Sequence, residues 1–245
     1  MAPTVQKLRV RYAKRGRLRF ASHRDFQRAF ERALRRAGVP MAYSAGFSPH
    51  PKVSYAGAAA TGAASEAEYL EIGVTDHLDP QAVCDALDAA LPPGLDVVEV
   101  VEAGPGSLAD RLEASDWRVE LPDVDPAALS PAVEAFLAAD EIVVERLTKS
   151  GIRAFDARSA VVRLAVEDPT PSSPGPGCAI LRMVVRHLTP AVRPDDVLAA
   201  LHAVAGLTPP TPPRVTRLAQ GPLTNVTVTD PLVADRTSGS DAVGL

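Results

Sequence analysis

Apolar and polar residues alternate from Leu8 to Tyr12 with basic side chains at the polar positions, and Lys14-Arg15-Gly16 supplies a turn before Leu18 to Phe20. The chain is therefore expected to open as an extended strand or bent hairpin. Ser22, followed three residues later by Asp25, is a carboxylate version of the capping box. Phe26, Phe30, Ala33, Leu34 and Ala37 then recur at helical spacing until Gly38-Val39-Pro40 ends the helix. At about 100° per residue, Arg24, Arg28, Arg32, Arg35 and Arg36 gather on the opposite side.

A turn-rich loop, Ser44 to Pro51, separates this helix from a second extended piece, Lys52 to Tyr55. Alternation returns from Glu68 to Val74. Pro80 to Leu91 has the Val83, Leu87, Leu91 spacing of a helix, and Leu95 to Val101 reads as a strand. The order β-α-β-β-α-β is the ferredoxin-like pattern of two helices over a four-stranded antiparallel sheet.

A second pass through similar elements follows: strand-like Trp117 to Leu121, helical Pro131 to Ala139, and strand-like Ile142 to Leu147 and Arg158 to Val166 across a Lys149-Ser150-Gly151 turn. Then come a Pro/Ser/Gly loop from Pro169 to Gly177, strand-like Cys178 to Leu188, helical Pro194 to Ala205 and strand-like Arg214 to Leu218. The fold class expected is α+β, with two tandem ferredoxin-like modules over residues 1–108 and 114–221. Their boundary is expected near Gly104 to Ala114, where Gly104-Pro105-Gly106 breaks the pattern. Residues 222–245, poor in aromatic and periodic content, are expected to be a disordered tail.

Charge changes this picture. The first 52 residues hold 13 of the 26 Lys and Arg but only two of the 30 acids, Asp25 and Glu31, and so carry +11 while the rest carries −15. Seven of the eleven aromatic residues lie between Tyr12 and Tyr55. Positive charge interleaved with ring faces points to a polyanion, RNA above all. A solvated helix face normally mixes signs to gain i,i+4 pairs, and this one has almost no acids to pair. The smaller cluster from Arg153 to Arg163 either extends the basic track or answers acidic neighbours.

Other chemistry is sparsely represented. The five histidines, at 23, 50, 77, 187 and 202, are scattered, with no spacing that suggests a metal. No phosphate-binding glycine motif is present, and no cofactor is expected. Cys84 and Cys178 read as two buried thiols of a reducing compartment. No apolar run is long enough for a membrane span, and the N-terminus lacks the apolar core of a signal peptide, so a cytoplasmic location is expected.

Four stretches resemble the radical SAM-linked protein family: Leu18-Arg19-Phe20-Ala21-Ser22-His23-Arg24-Asp25, Tyr43-Ser44-Ala45-Gly46-Phe47-Ser48-Pro49-His50-Pro51-Lys52, Ser65-Glu66-Ala67-Glu68-Tyr69-Leu70, and Arg193-Pro194-Asp195-Asp196. The resemblance runs over roughly residues 5 to 220, and the Gly-Phe-Ser-Pro-His-Pro loop is its most specific part. It implies a domain of unassigned activity found fused to, or encoded beside, a radical SAM protein, which would then be a partner. Two cysteines 94 positions apart cannot supply the three closely spaced ligands of a radical SAM cluster, so that chemistry would belong to the partner.

The expected role is that of a non-catalytic accessory protein binding RNA or a ribonucleoprotein. Lys52, Arg24 and Arg28 would take phosphates and Phe47, Tyr43 and Tyr55 would stack on unpaired bases, with Arg19, Arg32, Arg35, Arg36 and His50 completing the RNA-binding surface. The bland alternatives are a solvated arginine face and a crossover loop with Phe47 tucked into the core. Two further readings are a metal-independent endoribonuclease using His23 or His50 near Tyr43, and a protein-protein adaptor whose basic face docks an acidic partner.

Overall fold

The computed structural model describes residues 2–149, 151–168 and 177–240, the side chains of 237–240 excepted. The chain is α+β and divides into two compact units, one ending at Leu112 and resumed from Asp230, the other Glu113–Thr229.

In the first unit, strand β1 (Gln6–Lys14) leads through a single 3-10 turn (Gly16–Phe20) into helix α1 (His23–Arg36). Leu18 to Phe20 is thus a turn, not the second arm of a hairpin: Leu18 and Ala21 donate to the Arg15 and Leu18 carbonyls at 3.1 and 2.9 Å. Strands β2 (Val53–Ala56) and β3 (Ala64–Val74), helix α2 (Pro80–Ala90) and strand β4 (Leu95–Glu102) follow. β1 lies between β4 and β3, and β2 pairs with β3, all antiparallel. Alternation sorts the side chains. Leu8, Val10 and Tyr12 meet Phe26, Phe30 and Leu34 of α1 and Val83 and Leu87 of α2 in one core.

The second unit opens with β5 (Ala114–Pro122) and α3 (Pro126–Ala138). β6 (Val143–Thr148) and β7 (Gly151–Asp156) form a two-stranded hairpin, and β8 (Val161–Glu167), β9 (Cys178–Arg186), α4 (Pro194–Ala205) and β10 (Arg214–Gly221) complete it. Sequence paired 142–147 with 158–166 across the Lys149-Ser150-Gly151 turn. Instead β6 pairs with β7, and β8 joins the sheet in the order β10-β5-β9-β8. The reason lies at Asp156, whose carboxylate accepts from the N–H groups of Arg158 and Ser159 at 2.9 and 3.0 Å and so turns the chain between β7 and β8. The loop expected from Pro169 to Gly177 lies, except for Gly177, outside the described residues.

The Arg193-Pro194-Asp195-Asp196 stretch opens α4. Asp196 accepts from the Arg193 N–H at 2.7 Å and from Arg146 at 2.6 Å, tying the hairpin to the helix start. Cys84 and Cys178 are free and buried, and burial pushes both thiols above their ordinary pKa.

Residues 222–240 are not the tail expected from sequence. Leu223–Thr224 pairs with Thr227–Val228, and helix α5 (Val233–Ser240) returns to the first unit. There Leu232 packs with Ala56, Ala67, Tyr69, Val101, Leu108 and Leu112 on the sheet face opposite α1 and α2. Asp235, wholly buried, accepts from Arg9 at 2.7 and 2.9 Å, from Arg111 at 2.8 Å and from the Gly104 N–H at 3.0 Å. Leu232, Asp235 and Arg236, whose guanidinium donates to Glu99 of β4, carry this docking, too little periodicity to be read from sequence. Residues 241–245 lie outside the described residues.

Candidate nucleic-acid interface

The basic residues of the first 52 positions separate into two sets. Three at β1 and just after it face carboxylates: Lys7 donates to Glu71 at 2.9 Å, Arg9 to Glu71 at 3.2 Å and to Asp235, and Arg15 to Glu66 and, at 2.7 Å, to Asp96. Arg11 donates to the Glu66 carbonyl at 3.1 Å. Arg9 is buried, and its guanidinium also reaches the Gly106 carbonyl at 2.5 Å. Three of the thirteen basic side chains are therefore neutralised by carboxylates within the fold, and Arg11 is held by a carbonyl.

The α1 set is different. Arg24, Arg28, Arg32 and Arg35 are exposed and form no ion pair among the described residues. Phe26, Phe30, Ala33 and Leu34 fix the rotation of the helix by going into the core, which turns these four arginines to solvent as one ridge. The two acids of α1 offset it only in part. Asp25 accepts from the Ser22 hydroxyl at 2.6 Å in the N-cap; that bond first, and then Arg28 and Arg24, hold its carboxyl below the usual range. Glu31 sits on the flank near Tyr55. Arg36 is engaged, donating to the Ala90 carbonyl.

At the N-terminal end of the ridge, Arg17 is exposed and Arg19 is half-buried with its guanidinium carbon 4.8 Å from the centroid of the Phe20 ring. Phe20 is 59% exposed, and Arg19 Nε has no hydrogen-bond partner among the described residues. His23 is exposed. Its Nε2 lies 3.0 Å from Gln27, and its ring meets Tyr55 edge-on at 4.9 Å. Tyr55 also meets Phe26, which stacks on Tyr12 at 4.4 Å, so Tyr55 belongs to an internal aromatic cluster. Burial, then Glu31, pushes the Tyr55 phenol far above its ordinary pKa.

At the other end lies the Gly-Phe-Ser-Pro-His-Pro loop. Ala42 donates to the Gly73 carbonyl and Lys52 to the Ala42 carbonyl, both at 2.8 Å, and Gly73 donates to Lys52 at 3.0 Å. Above this base the Ser44 N–H donates to the His50 carbonyl at 2.8 Å, and the His50 N–H donates to Ser44 Oγ at 3.1 Å. Gly46, at φ 128°, makes the turn that an L side chain would strain. The result is a closed loop with Phe47 fully exposed at its tip and Tyr43 40% exposed at its base; the alternative of Phe47 in the core does not hold. An open groove of about 550 Å³ beside the base is lined by Ala2, Met41, Tyr43, Pro49 and Thr75. Lys52 Nζ donates to Thr4 Oγ1 at 3.0 Å.

No hydrogen bond or ring contact joins His23, His50 and Tyr43 among the described residues, so the fold does not bring them together as an acid-base pair. No group of three or more metal-ligating side chains occurs among the described residues, and no helix there is long and apolar enough to cross a membrane. In the second unit Arg153 and Arg163 are exposed, while Arg158 donates to the Val161 carbonyl at 3.1 Å and lies 5.8 Å from the Phe136 ring centroid. Phe20 was not singled out from sequence. Its position two residues before an N-cap serine, outside the helical apolar period, was the available signal.

Fold and surface together define an α+β protein whose first unit presents an incompletely neutralised arginine ridge flanked by two solvent-facing phenylalanines. The chain belongs to a bacterial family, described as "Uncharacterized protein conserved in bacteria (DUF2344)", whose model matches residues 7–194. No curated protein matches it. Among solved structures, an unknown protein from Galdieria sulphuraria is similar at 18% identity over 86% of this chain and 96% of that chain, with a TM-score of 0.25. The first two RRM domains of the yeast poly(U)-binding protein Pub1 are similar at 13% identity over 86% of this chain and 98% of that chain, also at 0.25. At those scores neither likeness carries an argument about this chain.

Proposed function

We propose that the first unit binds RNA through the α1 ridge and that the protein is a non-catalytic, cytoplasmic accessory factor of a radical SAM enzyme. The observation that carries the RNA reading is the contrast between the two basic sets. The β1 arginines have carboxylate or carbonyl partners, whereas Arg24, Arg28, Arg32 and Arg35 have no ion pair among the described residues. A row of like charges on one helix face lowers stability through i,i+4 repulsion. A polyanion relieves that cost.

The radical SAM partner rests on the four resembling stretches alone. We also read both units as ferredoxin-like modules, because each runs β-α-β-β-α-β, the second with the β6–β7 hairpin inserted, and each sheet places its first strand centrally. In the first unit the sheet face free of α1 and α2 is occupied by Leu232 and α5. RNA is therefore assigned to the helix side rather than to that face. Neither His23 nor His50 has a partner that favours cleavage over binding.

The test is fluorescence anisotropy with a labelled RNA at low salt. Wild-type protein is expected to bind, and Arg24→Glu with Arg28→Glu to lose binding at a thermal stability no lower than wild type. Equal affinity of the two proteins overturns the reading, and binding of acidic polypeptide but not RNA replaces it with the adaptor.

A further inference from the structure

Resting on the RNA reading, we propose that the ligand is single-stranded and that Phe20 and Phe47 are stacking platforms for two unpaired bases at opposite ends of the arginine ridge. Four of the six phenylalanines are buried: Phe26, Phe30, Phe136 and Phe155. Phe20 and Phe47 are the two that face solvent. An exposed phenyl ring gains nothing from burial in the folded state, and these two stand at the ends of the surface that carries the unpaired charge.

The chain path fixes their positions. Arg15 donates to the Gly94 carbonyl and Gly62 donates to the Arg19 carbonyl, both at 2.8 Å, which sets Phe20 at the end of the sheet where β1 finishes and β3 begins. α1 then runs back the length of the sheet. Just past it, Thr75 donates to the Pro40 carbonyl at 2.8 Å, Met41 bridges Val74, and Ala42 and Lys52 hold Gly73, all where β3 finishes. The Phe47 loop therefore stands at the C-terminal end of α1. Between the two rings lie the 14 residues of α1, about 21 Å at helical rise. Arg24, Arg28, Arg32 and Arg35 succeed one another along the axis at intervals of about 4.5–6 Å.

Both rings are held in place. Arg19 covers one face of Phe20, which leaves the other for a ligand and puts a guanidinium behind the stack. Phe47 rides on a loop closed by two hydrogen bonds between Ser44 and His50, so little conformational freedom remains to be lost on binding. Only unpaired bases offer π-faces to such rings; in a duplex the bases are stacked on one another and only edges and backbone are accessible. A phosphate track ending in aromatic platforms thus selects single strands without reading sequence.

The experiment compares a fluorescein-labelled, mixed-sequence single strand of roughly ten nucleotides with the corresponding RNA duplex, each titrated with wild type, Phe20→Ala, Phe47→Ala and Arg28→Glu. Each Phe variant is expected to weaken single-strand binding roughly 5- to 150-fold and to leave duplex binding unchanged. Phe20→Tyr should restore it, since a tyrosine ring stacks as well. Arg28→Glu should weaken both ligands. Should the Phe variants bind the single strand as wild type does, or lose single strand and duplex equally, stacking is overturned while the ridge stands on the Arg28→Glu result. Should Arg28→Glu change nothing, the ridge falls as well.

Discussion

Asp235 shows how much one side chain near the end of the chain controls. Its carboxylate satisfies Arg9, Arg111 and the Gly104 N–H inside an apolar layer of Leu108, Leu112 and Leu232. Removing it leaves a buried guanidinium with Glu71 as its remaining carboxylate partner. Asp235→Ala is accordingly expected to destabilise the protein by roughly 3–5 kcal/mol in urea denaturation. A loss below about 0.5 kcal/mol, the scale of an ordinary surface substitution, contradicts this docking of α5. Arg9 illustrates why sequence misleads at this scale. It counts toward the same +11 as Arg28, yet it is neutralised from a position 226 residues away.

At the scale of elements, α1 was the most legible part of the chain. Its cap, its apolar period and its stop signal are all local, and Ser22 caps Asp25 as its spacing predicts. The β6–β7 hairpin was not legible, because its partners are chosen by a turn that depends on one carboxylate's hydrogen bonds. Burial alone raises the Asp156 pKa, but N–H groups of Ile142, Ser159 and Arg158 and the Ser159 hydroxyl outweigh it and hold the carboxyl below its ordinary value. A depressed folded-state pKa adds stability above the unfolded value of about 4 and loses it as pH falls through the folded value. Asp156→Asn should therefore cost most at neutral pH, with the gap from wild type closing as pH falls through the folded-state value. A gap of constant size across that range contradicts the assignment.

For the molecule as a whole, composition located the basic region but could not apportion it. Thirteen cations against two acids looked like one surface, whereas the fold neutralises Lys7, Arg9 and Arg15 with carboxylates and leaves Arg24, Arg28, Arg32 and Arg35 exposed. The division follows from period: on β1 alternation aims Lys7 and Arg9 at the face where Glu71 and Asp235 lie, whereas on α1 the apolar stripe sends the arginines to solvent. Likewise, Phe47 could be placed in a loop from sequence, but its exposure depends on long-range anchoring at Gly73. The account stands or falls on whether the ridge meets phosphates. The most direct measurement is the salt dependence of single-stranded RNA binding, comparing wild type with Arg24→Gln/Arg28→Gln/Arg32→Gln/Arg35→Gln and with Lys7→Gln. Four phosphate contacts should give a slope of log K against log salt near about −3, lost in the quadruple variant and kept in Lys7→Gln; a slope that survives removal of the four arginines contradicts the claim.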